Sequence, residues 1–388
     1  MKTQKKICVV VGSRANYSSI KSAMKAIDNH SDLELQVVAT ASAIIDRYGR
    51  VADHIKLDDF NVDEEVYMIV EGENPQTMAQ STGMGLMSLP PVFERLKPDV
   101  VVTVGDRYET MATTIAASYM NIPVAHTMGG EVSGTIDESI RHATTKFAHV
   151  HFPASNDAAE RIIRLGELPE MVFNVGCPRI DLVKEIIENG DKLNSKEVFG
   201  EGVGDESIDL NEPFLLVSQH PVTTEYGAGE RQITETMIAC RNIGLPTLVL
   251  WPNSDAGAED ISRGLRKWRE EKLDKNMHYF KNLPIATYVR LMKQCFCLIG
   301  NSSSGIREGA FLGTPVVNLG SRQDMRERGS NVIDTSNERD KIFKAIKTQL
   351  EKKEFKHEPI YGDGSAGKKI ANILANLDEI NVQKKITY

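Results

Sequence analysis

The chain has no apolar stretch near the roughly 18–20 residues needed to cross a bilayer. Its cysteines are few, odd in number and scattered: Cys8, Cys177, Cys240, Cys295 and Cys297. No second cysteine pair matches Cys295-Phe296-Cys297, so neither a disulfide framework nor a zinc motif is expected, and the thiols read as reduced core residues. Positive charge is not in excess, since 46 Lys and Arg face 54 Asp and Glu for a net charge of −8. That balance speaks against nucleic acid or an anionic membrane surface as partner. An anionic ligand would need a local pocket of basic side chains or backbone N–H groups. The turn after the first apolar run, Gly12-Ser13-Arg14-Ala15-Asn16-Tyr17, is neither the Rossmann fingerprint G-x-G-x-x-G nor a Walker loop. The start, MKTQKKICVVVGSRANY, has a basic lead and an apolar run, but Ile7–Val11 is short and Gly12 follows at once. A first buried strand fits better than a signal peptide, and the expected location is cytoplasmic.

What is present is an alternation. Apolar runs at Ile7–Val11, Leu35–Ala39, Val100–Val104, Val124–His126, Val150–Phe152 and Val172–Val175 read as strands. Between them Tyr17–Ala26, Tyr108–Tyr119 and Glu138–Ala148 read as amphipathic helices. Nearly continuous apolar strands alternating with helices predict a parallel, doubly wound α/β sheet. The polar, Gly-rich stretch 189–212 reads as a linker. The alternation then restarts with strands at Phe214–Ser218, Thr247–Trp251, Met277–Phe280, Phe296–Ile299 and Val316–Leu319. The organisation expected is an N-terminal Rossmann-like domain over 1–188 and a second over 213–364. Residues 365–388, with a helix at Ala366–Asn376, are expected to pack back on the first.

In such sheets ligands bind beyond the carboxyl ends of the strands, and that is where the unusual residues fall. Gly12-Ser13-Arg14 follows the first strand: Gly12 allows a tight turn, the next helix offers N–H groups, and Arg14 can meet a phosphate. Gly105-Asp106-Arg107 follows Val100–Val104, an acid beside a base that reads either as an N-cap with a surface pair or as a catalytic carboxylate. The richest segment runs from His126 to His142 and holds Glu131, Asp137, Glu138, Arg141 and His142. A capped helix start explains one or two of these acids, not Glu131, Arg141 and His142 together. Asp137 and Arg141, four apart, share a helix face. In the second half, His220 lies before Pro221 after a strand, Asn253 lies in a strand-end turn, and Ser302, Ser303, Gly305, Arg307 and Glu308 run from strand into helix. Hydroxyls and glycines there suit close approach of a phosphate. Arg322 follows the next strand.

Taken in order, GSRANY, GDR, GGEVSGTIDESIRH, HPVTT, PNSDAG, NSSSGIRE and the late IYGDG at Ile360–Gly364 closely resemble the hydrolysing UDP-N-acetylglucosamine 2-epimerases of sialic-acid and related pathways. The epimerase half of the animal bifunctional epimerase/kinase is similar too, without a kinase portion here. The resemblance implies a glycosyltransferase-B-like fold with UDP in the interdomain cleft. It implies elimination of UDP across C1–C2 and then addition of water, with no cofactor and no metal. Substrate would be UDP-N-acetylglucosamine or its 2,4-diacetamido-6-deoxy relative of the legionaminic acid type. The expected assembly is a homodimer or a dimer of dimers. By match, Asp106 and Asp137 fall on catalytic carboxylate positions, and Glu131, Arg141 and His142 lie in the same segment. Arg14, His220, Asn253, Ser302, Ser303, Glu308 and Arg322 match nucleotide-binding positions, to which Gly12, Arg107, Gly305 and Arg307 are added from the segments above. Glu308 suits a ribose, since a carboxylate accepts two hydrogen bonds.

One position departs from the pattern. The familiar run is His-Ile-Glu-Gly-Gly-Glu, and its first Glu is a catalytic acid/base; here Met128 stands there, and a thioether exchanges no proton. Either another carboxylate, Glu131 or Asp106, takes the role, or the chemistry differs in this branch, or activity is low; the first is the expectation. Arg263 and Arg266 match an inhibitor site of the animal enzyme and read equally as the solvated face of a helix. A glycosyltransferase of the same architecture and a nucleotide-sugar sensor without turnover are the competing classes.

Overall fold

The computed structural model describes residues 4–387 except 73–74, 134–135, 191, 201, 223–224, 253–256, 282, 353–354 and 378–379. The chain divides into two compact units. One comprises residues 1–132, 136–182 and 361–388; the other comprises 133–135 and 183–360.

The first unit is built on six parallel strands: β1 (Lys5–Val11), β2 (Leu33–Thr40), β3 (Glu64–Val66), β4 (Val100–Val104), β5 (Val124–Thr127) and β6 (Val150–Phe152). Their order is β3-β2-β1-β4-β5-β6. All five residues of β4 are buried, which is why it reads as an unbroken apolar run: helices cover both faces of a parallel sheet. The second unit repeats the plan with β7 (Gly202–Gly204), β8 (Leu215–Ser218), β9 (Thr247–Leu250), β10 (Met277–Phe280), β11 (Cys297–Gly300), β12 (Val316–Leu319) and β13 (Val332–Thr335). Its sheet runs β13-β12-β11-β8-β9-β10-β7, with β7 antiparallel to β10 and the other strands parallel. Read from β10 to β13, the order is again that of a Rossmann sheet. The α/β class with two Rossmann-like units is therefore the one the sequence predicted.

Three local expectations change. Residues 189–212 are more than a linker, since they hold a helix at Ser195–Gly200 and the edge strand β7. Val172–Val175 forms no strand; Val172 makes one isolated bridge to His151, and the sheet ends at β6. The helix expected over Tyr17–Ala26 is two, Arg14–Ser18 and Lys21–Asp28. All five cysteines are buried free thiols, and burial pushes the thiols of Cys8, Cys240, Cys295 and Cys297 up. Among the described residues no helix is long and apolar enough to cross a membrane.

Residues 361–388 belong to the first unit, and the helix Ala366–Asn376 packs on Lys21–Asp28. The Asp181 carboxylate accepts from the N–H groups of Ala366 (2.9 Å) and Gly367 (2.7 Å) at its first turn, where the helix dipole favours an anion. Further on, Lys384 enters a buried charge cluster around Glu167, which also meets Lys146 at 2.6 Å and His151 Nε2 at 3.1 Å. Burial alone pushes the Glu167 carboxyl up, but the bonds from His151, Lys146 and Lys384 outweigh it and bring it to about 2. A carboxyl held below its ordinary 4.5 stabilises the fold above that pH and loses the contribution as pH falls towards 2. Thermal unfolding followed against pH is expected to show this acid loss in the native chain. Glu167→Gln should melt lower at neutral pH and show a flatter acid limb.

Candidate functional site

In both units the strand order reverses inside the sheet, between β1 and β4 in the first and between β8 and β11 in the second. Ligands of open α/β sheets bind in the crevice that such a switch point opens. Gly12 and Arg14 follow β1, and Asp106 and Arg107 follow β4. His220 follows β8, and Ser302 and Ser303 follow β11. Four of the segments singled out for chemistry therefore lie at the two switch points, while the His126–His142 segment follows the neighbouring strand β5 and Arg322 follows β12.

At the first, Ser13 caps the helix Arg14–Ser18 by accepting from Asn16 N–H. Asn16 in turn accepts from Gly12 N–H (3.2 Å) and donates to Val104 C=O (3.3 Å), tying the β1 turn to the end of β4. Arg14 begins the helix and is exposed. Arg107 is the N-cap of Tyr108–Tyr119 and is exposed, with its Nε 3.2 Å from Glu109 Oε1. Glu109 is buried directly beneath Gly12: a Cβ on Gly12 would stand 2.3 Å from Glu109 Cγ. Gly12 is thus needed for close approach of this side chain.

Behind Asp106 the support is His126, fully buried on β5, which donates from Nε2 to Gly105 C=O at 2.7 Å. Burial lowers its pKa to about 4, partly offset by that bond, so it stays neutral and keeps one tautomer. The central element is Arg141. Its helix, Ile136–Phe147, carries Asp137 and Glu138 in the first turn, where acids suit the dipole. Arg141 is 1% exposed. It donates to Glu131 C=O at 2.9 Å and pairs with the Asp106 carboxylate. A buried guanidinium is tolerable only when such partners satisfy it. It therefore joins the end of β4 to the loop after β5. The Glu131 side chain is buried, and Asp137 is half-buried one turn before Arg141. His142 lies beside Glu138 (3.6 Å), and burial, with the Glu138 charge opposing it, moves its pKa down.

Met128 sits in the same loop with φ +61°, a left-handed conformation that few non-glycine residues adopt. Its N–H donates to Phe152 C=O (3.0 Å) and its sulfur accepts from the Cys177 thiol (3.8 Å). No proton-transfer group stands at this position.

The second unit's switch point is held by Asn301, 2% exposed. Its Oδ1 accepts from His220 N–H (2.7 Å) and its Nδ2 donates to His220 C=O (2.8 Å), so the loops after β8 and β11 are clasped by one amide. Arg322 (3.1 Å) and Gln323 (2.9 Å) donate to Asn301 C=O from the loop after β12. Gly300 (φ +141°) admits this contact, since a Cβ would lie 2.0 Å from Ser218 C=O. Ser302 caps the helix Ser303–Leu312, and Glu308 is buried on its second turn. Gly305 faces the sheet, where a Cβ would lie 3.0 Å from Val316 and 3.2 Å from Leu298; its place is in helix–sheet packing. Arg307 is half-buried on the same helix. Asn253 lies outside the described residues. On the helix Ala258–Glu270, Arg263 pairs with Asp260 (2.9 Å) and Arg266 with Glu259, and Arg263 also reaches Glu230 (3.6 Å) on the helix Gly229–Ile243. Asn301 and Glu109 were not singled out from the sequence: Asn301 lies inside a flagged run and Glu109 two residues beyond Gly105-Asp106-Arg107, and the His220 and Gly12 backbone they meet is remote in sequence.

Two Rossmann-like units in one chain, each with polar strand-end loops at its switch point, define a glycosyltransferase-B-like fold. The crystal structure of UDP-GlcNAc 2-epimerase from Neisseria meningitidis bound to UDP-GlcNAc matches that fold with a TM-score of 0.79 at 20% identity, covering 95% of this chain and 99% of that one. The family profile UDP-N-acetylglucosamine 2-epimerase matches residues 25–375. The UDP-N,N'-diacetylbacillosamine 2-epimerase (hydrolyzing) of Legionella pneumophila is 33% identical over 373 residues, 96% of each chain. The GDP/UDP-N,N'-diacetylbacillosamine 2-epimerase (hydrolyzing) of Campylobacter jejuni is 31% identical over 361 residues, 91% of this chain and 89% of its own. The chain belongs to the UDP-N-acetylglucosamine 2-epimerase family.

Proposed function

We propose that this protein is a hydrolysing 2-epimerase that converts a UDP-2-acetamido sugar and water into UDP and the free 2-epimer. The observation that carries the reading is the bracket in the first unit: Arg141 joins Asp106 to Glu131, with Asp137 one turn earlier on the same helix. Removing a weakly acidic C2 proton and returning one to the other face requires positioned carboxyl groups, each contributing roughly 10²–10⁴-fold. Asp106 and Asp137 are assigned to that proton traffic, Glu131 and His142 to its surroundings, and Arg141 to holding Asp106. In the second unit, His220, Ser302, Ser303, Glu308 and Arg322, with Asn253 and Arg307, are assigned to UDP, together with Gly12, Arg14 and Arg107 of the first. Donors on the pyrophosphate make UDP a better leaving group. Residues with three carboxyls in one segment suit acid/base work at C2 better than recognition of a glycosyl acceptor.

The substrate assigned is UDP-2,4-diacetamido-2,4,6-trideoxyglucose, which is UDP-N,N'-diacetylbacillosamine. What supports it is that both curated relatives above carry that sugar in their names. UDP-N-acetylglucosamine, the sugar in the family's name, is the second reading. The test is kcat/KM for both sugars with the same preparation. The diacetamido sugar is expected to lead by tenfold or more, about 1.4 kcal/mol of transition-state discrimination. An equal or reversed ratio returns the assignment to UDP-N-acetylglucosamine.

A further inference from the structure

Glu109 is a polar group that neither the capping of its helix nor the bracket around Arg141 accounts for. It lies in the first turn of Tyr108–Tyr119, and its side chain turns back under the end of β1. The side chain is 4% exposed. One oxygen, Oε1, meets Arg107 Nε at 3.2 Å; the other, Oε2, is buried with no hydrogen-bond partner among the described residues. Gly12 has given up its side chain to make room for it. A buried polar oxygen without a partner is costly, and here it lies where β1 and β4 part, the crevice in which a ligand of this fold binds.

We infer that Glu109 is a proton-transfer residue of this site, the carboxylic acid that gives C2 of the sugar its new proton after UDP has left. The inference rests on the epimerase reading above. A carboxyl deprived of water is better neutral than ionised. Burial pushes the Glu109 pKa up, Arg107 pulls against that, and the Asp137 charge adds to the rise. Asp106, by contrast, is paired as a carboxylate with Arg141. An acid and a base at one carbon require surroundings that favour opposite protonation states: burial favours the neutral form of Glu109, and the Arg141 guanidinium favours the ionised form of Asp106.

The proton balance closes. In the first half-reaction the C2–H bond breaks, its proton passes to an ionised carboxylate, Asp106 or Asp137, and the C1–O bond breaks with its electron pair leaving on UDP. A C1=C2 double bond forms. In the second half, water bonds to C1 and releases a proton to solvent, while the Oε2–H bond of Glu109 breaks and that proton bonds to C2. Glu109 regains its proton from solvent, and the first carboxyl loses the one it took. Glu109 thereby supplies the carboxyl function that Met128 cannot.

The test is Glu109→Gln, which keeps shape and neutrality and can still meet Arg107, but has no acidic proton. Product is followed by NMR with the UDP-2-acetamido sugar. Release of the 2-epimer is expected to fall about 10²–10⁴-fold, while UDP release continues and the unsaturated 2-acetamidoglucal accumulates. Adding Met128→Glu to Glu109→Gln is expected to recover at least tenfold of the lost epimer formation. Epimer formation within twofold of the native rate, or equal loss of UDP release and epimer with no glucal, overturns the assignment. If Glu109→Gln does not fold, as judged by its melting, Glu109→Asp is read for the same glucal, and its absence counts against the assignment too. A native protein inert towards every UDP-2-acetamido sugar sinks the epimerase reading, and Glu109's role with it. An active native protein with an indifferent Glu109→Gln sinks the Glu109 assignment alone.

Discussion

Arg141→Ala is expected to lower the unfolding free energy by about 3–5 kcal/mol, the cost of breaking a buried ion pair by removing one partner. The lower end is expected, because Asp106 is 26% exposed and water can partly replace the lost guanidinium. Two losses combine: the Asp106 carboxylate loses its charge partner, and Glu131 C=O loses a donor. The cavity left by the largest fully buried side chain of the chain's described residues adds to both. Denaturant unfolding measures the loss directly. Arg141→Met with Asp106→Asn should be milder than the sum of the two single changes, since the double variant leaves no unpaired charge. A purely additive pair would mean that the two side chains do not act as a unit. Turnover is expected to fall well beyond the stability loss, because the loops after β4 and β5 lose the residue that holds them together.

Asn301→Ala is the second large effect. The amide of Asn301 satisfies both the N–H and the C=O of His220, and leaving a buried polar group unmade costs about 1–3 kcal/mol each. The loops after β8 and β11 would then part, and nucleotide affinity, measured calorimetrically with UDP, is expected to fall at least tenfold. Asn301→Asp separates the two bonds. It keeps the acceptor for His220 N–H and sets a carboxylate against His220 C=O, so it should lose most of the same affinity at neutral pH. UDP binding unchanged in both variants would remove Asn301 from the account of the site.

The fold was legible where strands are buried on both faces. Val100–Val104 reads as an unbroken apolar run and Met277–Phe280 as a run interrupted only by His278, and both are strands at those residues. The edge strands β3 and β7 were not legible, whereas the edge strand β6, buried at all three residues, was. β3 is Glu64-Glu65-Val66 and β7 is Gly202-Val203-Gly204, neither with an apolar signature. The helix Pro75–Leu96 carries Gly83, Gly85, Pro90 and Pro91, residues that punctuate a helical pattern, and its packing on Tyr108–Tyr119 overrides them. At the site, spacing placed Asp137 and Arg141 on one helix face. It did not reveal that the partner of Arg141 is Asp106, because that pairing depends on how β4 and β5 lie side by side. For the same reason Asn301 read as one more member of a serine-rich turn, and Glu109 as an ordinary acid in the first turn of a helix. Gly305, read as room for a ligand, makes room for Leu298 and Val316 instead.

The most direct test of the central claim is turnover of a UDP-2-acetamido sugar by the native protein in D₂O, followed by NMR. Free UDP is expected in step with a released 2-epimer that carries deuterium at C2 and is no longer attached to nucleotide. A 2-epimer still bound to UDP, or a released sugar with its original C2 proton and configuration, would contradict it.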